Sequence, residues 1–100
     1  MNRLQAYIPL IIQLCESHKV KNLYAFGSVL TDKFHTESDI DLIVDFGAMP
    51  VEDYADNYFD FKFSLQDILQ RKIDLLEDKA IKNPYFRSTV NAQKQLVYGK

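Results

Sequence analysis

Residues 39–46 read Asp-Ile-Asp-Leu-Ile-Val-Asp-Phe, and this alternation constrains the fold more than any other stretch of the chain. Side chains two apart on a β-strand share a face. Ile40, Leu42, Val44 and Phe46 therefore line one side, and Asp39, Asp41, Ile43 and Asp45 line the other. The apolar side must be buried against a second layer. Its regularity gives the acidic side a significance beyond solvation. Asp45, nearest the strand end, is expected to be solvated.

The flanking segments supply that second layer. Leu4, Ile8, Ile11, Ile12 and Cys15 recur at helical spacing, which predicts a helix over roughly Ile8–Ser17 with Pro9 in its first turn. Lys21–Phe26 reads as a strand closed by Gly27-Ser28, and Ser28–Lys33 as a short helix. Gly47 and Pro50 end the Asp39–Phe46 strand. A long helix follows over Val51–Gln70, with Glu52 and Asp53 in its first turn. Lys72–Leu76 reads as a third strand. Asn83 is a good N-cap for Pro84, and a final helix is expected to run to about Val97, stopped by Gly99. The expected fold class is α/β (α+β), a small mixed sheet of three or more strands with helices packed on it. Residues 1–100 are read as one domain.

Composition narrows the function. A net charge of −2, with twelve basic residues spread along the chain, argues against nucleic acid held by bulk electrostatics. The sole cysteine, Cys15, permits no internal disulfide and reads as a small buried hydrophobe. No apolar run is long enough for a membrane span, and residues 1–5 lack a signal peptide's apolar region. A cytoplasmic protein is expected.

The chemistry resides in Gly27-Ser28, ten intervening residues, Asp39-Ile40-Asp41, and Asp74 inside the third strand. Asp39 and Asp41 project side by side and repel unless a cation neutralises them. Mg²⁺ takes oxygen ligands, typically one or two carboxylates plus substrate phosphates. With Asp74 from a neighbouring strand, the set suits two metal ions, one activating the attacking hydroxyl and one stabilising the leaving pyrophosphate. Gly27 permits close backbone approach to a ligand. If Ser28 opens a helix, its free N–H groups and hydroxyl receive phosphate oxygens.

Gly27, Ser28, Asp39, Asp41 and Asp74 together resemble the signature of the DNA polymerase β-like nucleotidyltransferases, and the small size resembles their minimal nucleotidyltransferase (MNT) branch. The resemblance runs from Leu23–Ser28 to Leu96–Gly99. It implies the polymerase β-like fold, with Asp39, Asp41 and Asp74 catalytic and metal-binding, Mg²⁺ as cofactor and ATP as substrate. Many relatives carry an Arg and a Gly soon after Gly-Ser. Here the segment reads Val29-Leu30-Thr31-Asp32-Lys33-Phe34, so Lys33 is the candidate cation for the phosphates. Members of this branch are commonly antitoxins of HEPN-domain RNases. The resemblance thus implies AMP transfer from ATP to a tyrosine of a HEPN toxin. Two alternatives stand beside it: a degenerate transferase that neutralises its partner by contact alone, and a transferase acting on a small molecule or an RNA end. Homo- or hetero-oligomers are left open.

Within the long helix, Tyr54, Tyr58, Phe61, Leu65, Ile68 and Leu69 gather on one face and are expected in the core. Phe59 and Phe63 form a nearly opposite patch, either covered by another part of the domain or a candidate partner interface. His18 and His35 lack any neighbouring His or Cys at ligand spacing, so each reads as solvated or hydrogen-bonded.

Overall fold

The alternating segment forms β2 (Ile40–Phe46), the strand on which the architecture is built. It pairs antiparallel with β1 (Val20–Phe26) and parallel with β3 (Ile73–Glu77). A fourth strand, β4 (Gln95–Tyr98), adds antiparallel to the far side of β1, giving the order β3-β2-β1-β4. The helices are α1 (Ile8–Ser17), α2 (Val51–Leu69) and α3 (Pro84–Gln93), with 3₁₀ segments at Asn2–Tyr7 and Asp78–Ala80. The computed structural model describes residues 2–27 and 39–99. The expected Ser28–Lys33 helix, His35, and the site candidates Ser28 and Lys33 lie outside them.

α1 and α2 cover one face of the sheet. Ile40, Leu42, Val44 and Phe46 of β2, Leu23 and Ala25 of β1, and Ile73 and Leu75 of β3 are buried there against Ile11, Cys15, Phe61, Leu65 and Leu69. The aromatic face of α2 packs as its periodicity predicts. Phe61 is fully buried, 5.8 Å from Phe46 in an edge-on contact. Tyr54, Tyr58 and Ile68 are partly buried against the same cluster. The tyrosine hydroxyls solve the polar side of this packing: Tyr54 donates to a Glu77 carboxylate oxygen at 2.7 Å, and Tyr58 to the Leu75 carbonyl at 2.5 Å.

His18 is nearly buried at the end of α1. Its Nε2 lies 2.5 Å from Asp60 Oδ2 and its Nδ1 2.7 Å from the Leu14 carbonyl oxygen, so it is a hydrogen-bonded histidine joining α1 to α2. Cys15 is buried as expected, and burial, aided by the Glu16 charge, pushes its thiol up to about 12. A thiol held protonated is a poor nucleophile. Among the described residues, no helix is long and apolar enough to cross a membrane.

The C-terminal end differs from expectation. The final helix stops at Gln93 rather than near Val97, and Gln95–Tyr98 is a strand. As a strand, this segment pairs with the open side of β1 and packs Val97 and Tyr98 on the core cluster. Gly99 does not stop a helix. It has φ +100°, and a Cβ there would run into the Lys21 carbonyl and the Asn22 side chain, so it lets the chain pass β1 closely.

Candidate functional site

The sheet's second face carries the acidic row. Cross-strand partners share a face, so the register places Phe26, Asp41 and Asp74 side by side across β1, β2 and β3. The next row is Tyr24, Ile43 and Leu76. Asp39 precedes β2 and is exposed, Asp41 is half-buried, and Asp74 is exposed. Gly27 ends β1 at φ +83°, where an added Cβ would stand 2.5 Å from Asp41 Oδ2. Glycine is thus required twice, by the left-handed backbone and by the carboxylate leaning against it.

Asp41 is the electrostatic centre of this row. Burial pushes its carboxyl above the usual range, and the charges of Asp74 and Asp39 push the same way. A side-chain hydrogen bond between Asp41 and Asp74 also favours the protonated form. The structure therefore brings Gly27, Asp39, Asp41 and Asp74 together. It gathers negative charge that lacks compensation within the row.

This is the chemistry of a hard-cation site. Among the described residues, no three acidic, histidine or cysteine side chains close into a ready-made cage. Mg²⁺ does not need one, because it retains waters and shares its ligation between one or two carboxylates and substrate phosphates. A carboxylate such as Asp41, whose ionisation is held back by burial and by neighbouring carboxylates, fits such an ion.

One expectation on this face changes. Asp45 is not solvated. Its side chain is 17% exposed, one carboxylate oxygen is sealed from solvent, and the Lys79 ammonium approaches to 3.8 Å, because the Asp78–Ala80 turn lies beside that end of β2. Ile43 is fully buried although it shares the acidic face, since α3 lies over that face. Phe86 of α3 meets Phe26 edge-on at 5.9 Å, Val90 is buried, and Lys94 sits 4.2 Å over the Tyr24 ring. Phe86 thus stands close to the acidic row, a position not assigned from sequence. The available signal was the i, i+4 pair Phe86 and Val90 behind a clear N-cap. Phe59 and Phe63 are exposed rather than covered by another part of the domain, their rings stacked 6.0 Å apart on α2.

Carboxylates on adjacent strands beside a glycine turn define a phosphoryl- or nucleotidyl-transfer class of site, and sequence comparison fixes which. Residues 10–100 match the family described as polymerase beta, nucleotidyltransferase, and the chain belongs to that family. A Methanocaldococcus jannaschii protein, provisionally named protein adenylyltransferase MJ0128, is 38% identical over 85 residues, covering 85% of this chain and 82% of the relative. A solved minimal nucleotidyltransferase, likewise provisionally named, superposes with TM-score 0.76 at 24% identity, covering 92% of this chain and 90% of its own. A chain from the complex of tri-AMPylated Shewanella oneidensis HEPN toxin with MNT antitoxin superposes with TM-score 0.66 at 20% identity, covering 96% and 72%. At these identities the solved structures establish the shared fold.

Proposed function

We propose that this nucleotidyltransferase moves AMP from ATP to a tyrosine hydroxyl of a partner protein, a HEPN-domain toxin, and thereby acts as its antitoxin. The observation that carries this reading is the row formed by Asp41 and Asp74 against the Gly27 turn. The adenylyltransferase name of the 38%-identical relative and the fold shared with the AMPylated HEPN complex support the acceptor class.

Each residue has a role in this reading. Gly27 leaves room for a phosphate to approach the backbone at the end of β1. Ser28 and Lys33 are assigned to the phosphates on sequence grounds alone. Asp39, Asp41 and Asp74 would hold Mg²⁺, which when bound supplies activation of the attacking hydroxyl and stabilisation of pyrophosphate. Asp74, exposed at the β3 side, takes the proton of the acceptor hydroxyl.

The test is the intact mass of the adjacent gene's product, co-expressed with this protein or with its Asp39→Asn, Asp41→Asn double variant. Mass rising by whole adenylyl units with the wild type only is the expected result. A stable complex in both cases without any mass increase would instead make this a binding antitoxin with a vestigial site.

A further inference from the structure

An apolar cavity of about 320 Å³ opens beside the catalytic row, lined by Leu76, Ala80, Ile81 and Phe86, with Glu77, Lys82 and Asn83 also contributing. Its position is set by the sheet. Leu76 follows Asp74 by two residues on the same face of β3, a step of about 6.6 Å. Phe86 forms another wall while touching Phe26, the row-mate of Asp41. The wall is held firmly. Arg87 donates to Asp78 Oδ1 at 2.7 Å and to the Asp78 and Ile81 carbonyls at 2.5 and 3.2 Å, tying the segment after β3 to α3. Two polar lining residues are already engaged: Asn83 caps α3 through the Tyr85 and Phe86 amides, and Glu77 accepts from Tyr54.

The order of parts across the sheet assigns an occupant. The glycine turn lies at the end of β1, Asp41 is central, Asp74 lies on β3, and the cavity opens on the β3 side one row further along that strand, at Leu76. Displacement at phosphorus places the attacking and leaving oxygens in line, on opposite sides. If pyrophosphate leaves towards Gly27, the acceptor enters from the β3 side, where the cavity is. We infer that this cavity seats the aromatic ring of the acceptor tyrosine, with Phe86 as its edge or stacking partner and Leu76 and Ile81 as its apolar walls. The inference rests on the protein-adenylylation reading above. In the step, the phenolic oxygen forms a bond to the α-phosphorus of ATP and the bond from that phosphorus to the bridging oxygen breaks. Pyrophosphate departs and the phenolic proton passes to Asp74. Aromatic rings in apolar slots prefer offset or edge-on contacts, which Phe86 is placed to offer.

The experiment is a two-dimensional NMR titration of the full chain, with methyl groups of Leu76 and Ile81 and the amides of Gly27 and Phe86 as reporters. The probes are N-acetyl-L-tyrosinamide, its phenylalanine counterpart, and AMP-PNP with Mg²⁺, each added separately. The tyrosine amide is expected to shift Leu76, Ile81 and Phe86 and to leave Gly27 unmoved, and AMP-PNP to do the reverse. Phe86→Ala is expected to weaken tyrosinamide binding at least tenfold without changing AMP-PNP binding. AMP-PNP shifting the cavity reporters while the amide does not would make the cavity a nucleobase seat and overturn the inference. So would no response of the cavity to either aromatic amide. Failure of the adenylylation reading is read separately, by the mass of the co-expressed partner.

Discussion

Replacing Gly27 by alanine tests the link between backbone and catalysis most directly. The new Cβ must be accommodated at φ +83°, which costs about 1–2 kcal/mol for a residue with a side chain. It also stands 2.5 Å from Asp41 Oδ2, whereas ordinary contact begins near 3.4 Å, so the carboxylate must retreat by roughly 0.9 Å (3.4 − 2.5). A displacement of about 1 Å at a reacting centre costs on the order of 10²-fold in rate. At roughly 4–8 °C per kcal/mol for a chain this size, melting should fall by about 5–15 °C. Thermal denaturation and the transfer rate to the partner read the two effects separately. Gly47→Ala is the control, since that glycine lacks the left-handed backbone and its Cβ would approach only the Lys19 carbonyl, at 3.3 Å. In an Asp41→Ala background the steric part of the Gly27→Ala penalty should disappear, leaving the backbone part. A Gly27→Ala protein with wild-type melting and wild-type transfer would refute the geometry, as would strict additivity with Asp41→Ala.

Asp41→Asn should raise melting at neutral pH in the presence of a chelator, because burial and the charges of Asp74 and Asp39 disfavour the ionised native carboxyl. The sign follows from linkage: below the ordinary value of 3.8 both states bind the proton, and as pH rises the unfolded chain ionises first, so native stability is lost. The variant's advantage should therefore vanish in melts below that pH, and an advantage persisting there would contradict the cause given. Phe61→Ala, at a fully buried ring between the sheet and α1, should cost about 3–5 kcal/mol by urea denaturation. Phe59→Ser with Phe63→Ser should leave the circular dichroism and melting of the free chain near wild type while weakening a partner complex measured by calorimetry; a molten double variant would place those rings in the core. Arg87→Ala should lower stability by about 1.5–3 kcal/mol in chemical denaturation, since three acceptors on Asp78 and Ile81 lose a charged donor.

Much of this architecture was legible because period and punctuation agree. The alternation in residues 39–46 and the apolar stripe of α2 each fix one buried face, and Asn83-Pro84 fixes the start of α3. Asp41 and Asp74 fall into register because both belong to strands whose apolar residues leave only one way to face the core. The rest needed tertiary information. Gln95–Tyr98 is too short for its period to separate strand from helix, and the open side of β1 decides it. Ile43 looked like an exception on an acidic face, and only the placement of α3 explains its burial. Asp45 was misjudged for the same reason: a turn after β3 closes over it, which no local signal announces. Phe86 was passed over because its meaning comes from Phe26 and Leu76, residues far from it in sequence.

The two faces of the sheet carry unequal shares of the folding free energy. The continuous apolar cluster lies on the side of α1 and α2, while on the other side Ile43 and Val90 are buried apart from it. Substitutions at exposed positions of α3, such as Tyr85, therefore leave the main core untouched. Such a division favours evolvability. A chain of this design can exchange the residues that select its target while the scaffold presenting Asp41 and Asp74 stays folded, so new specificities can arise without first acquiring compensating stabilising mutations.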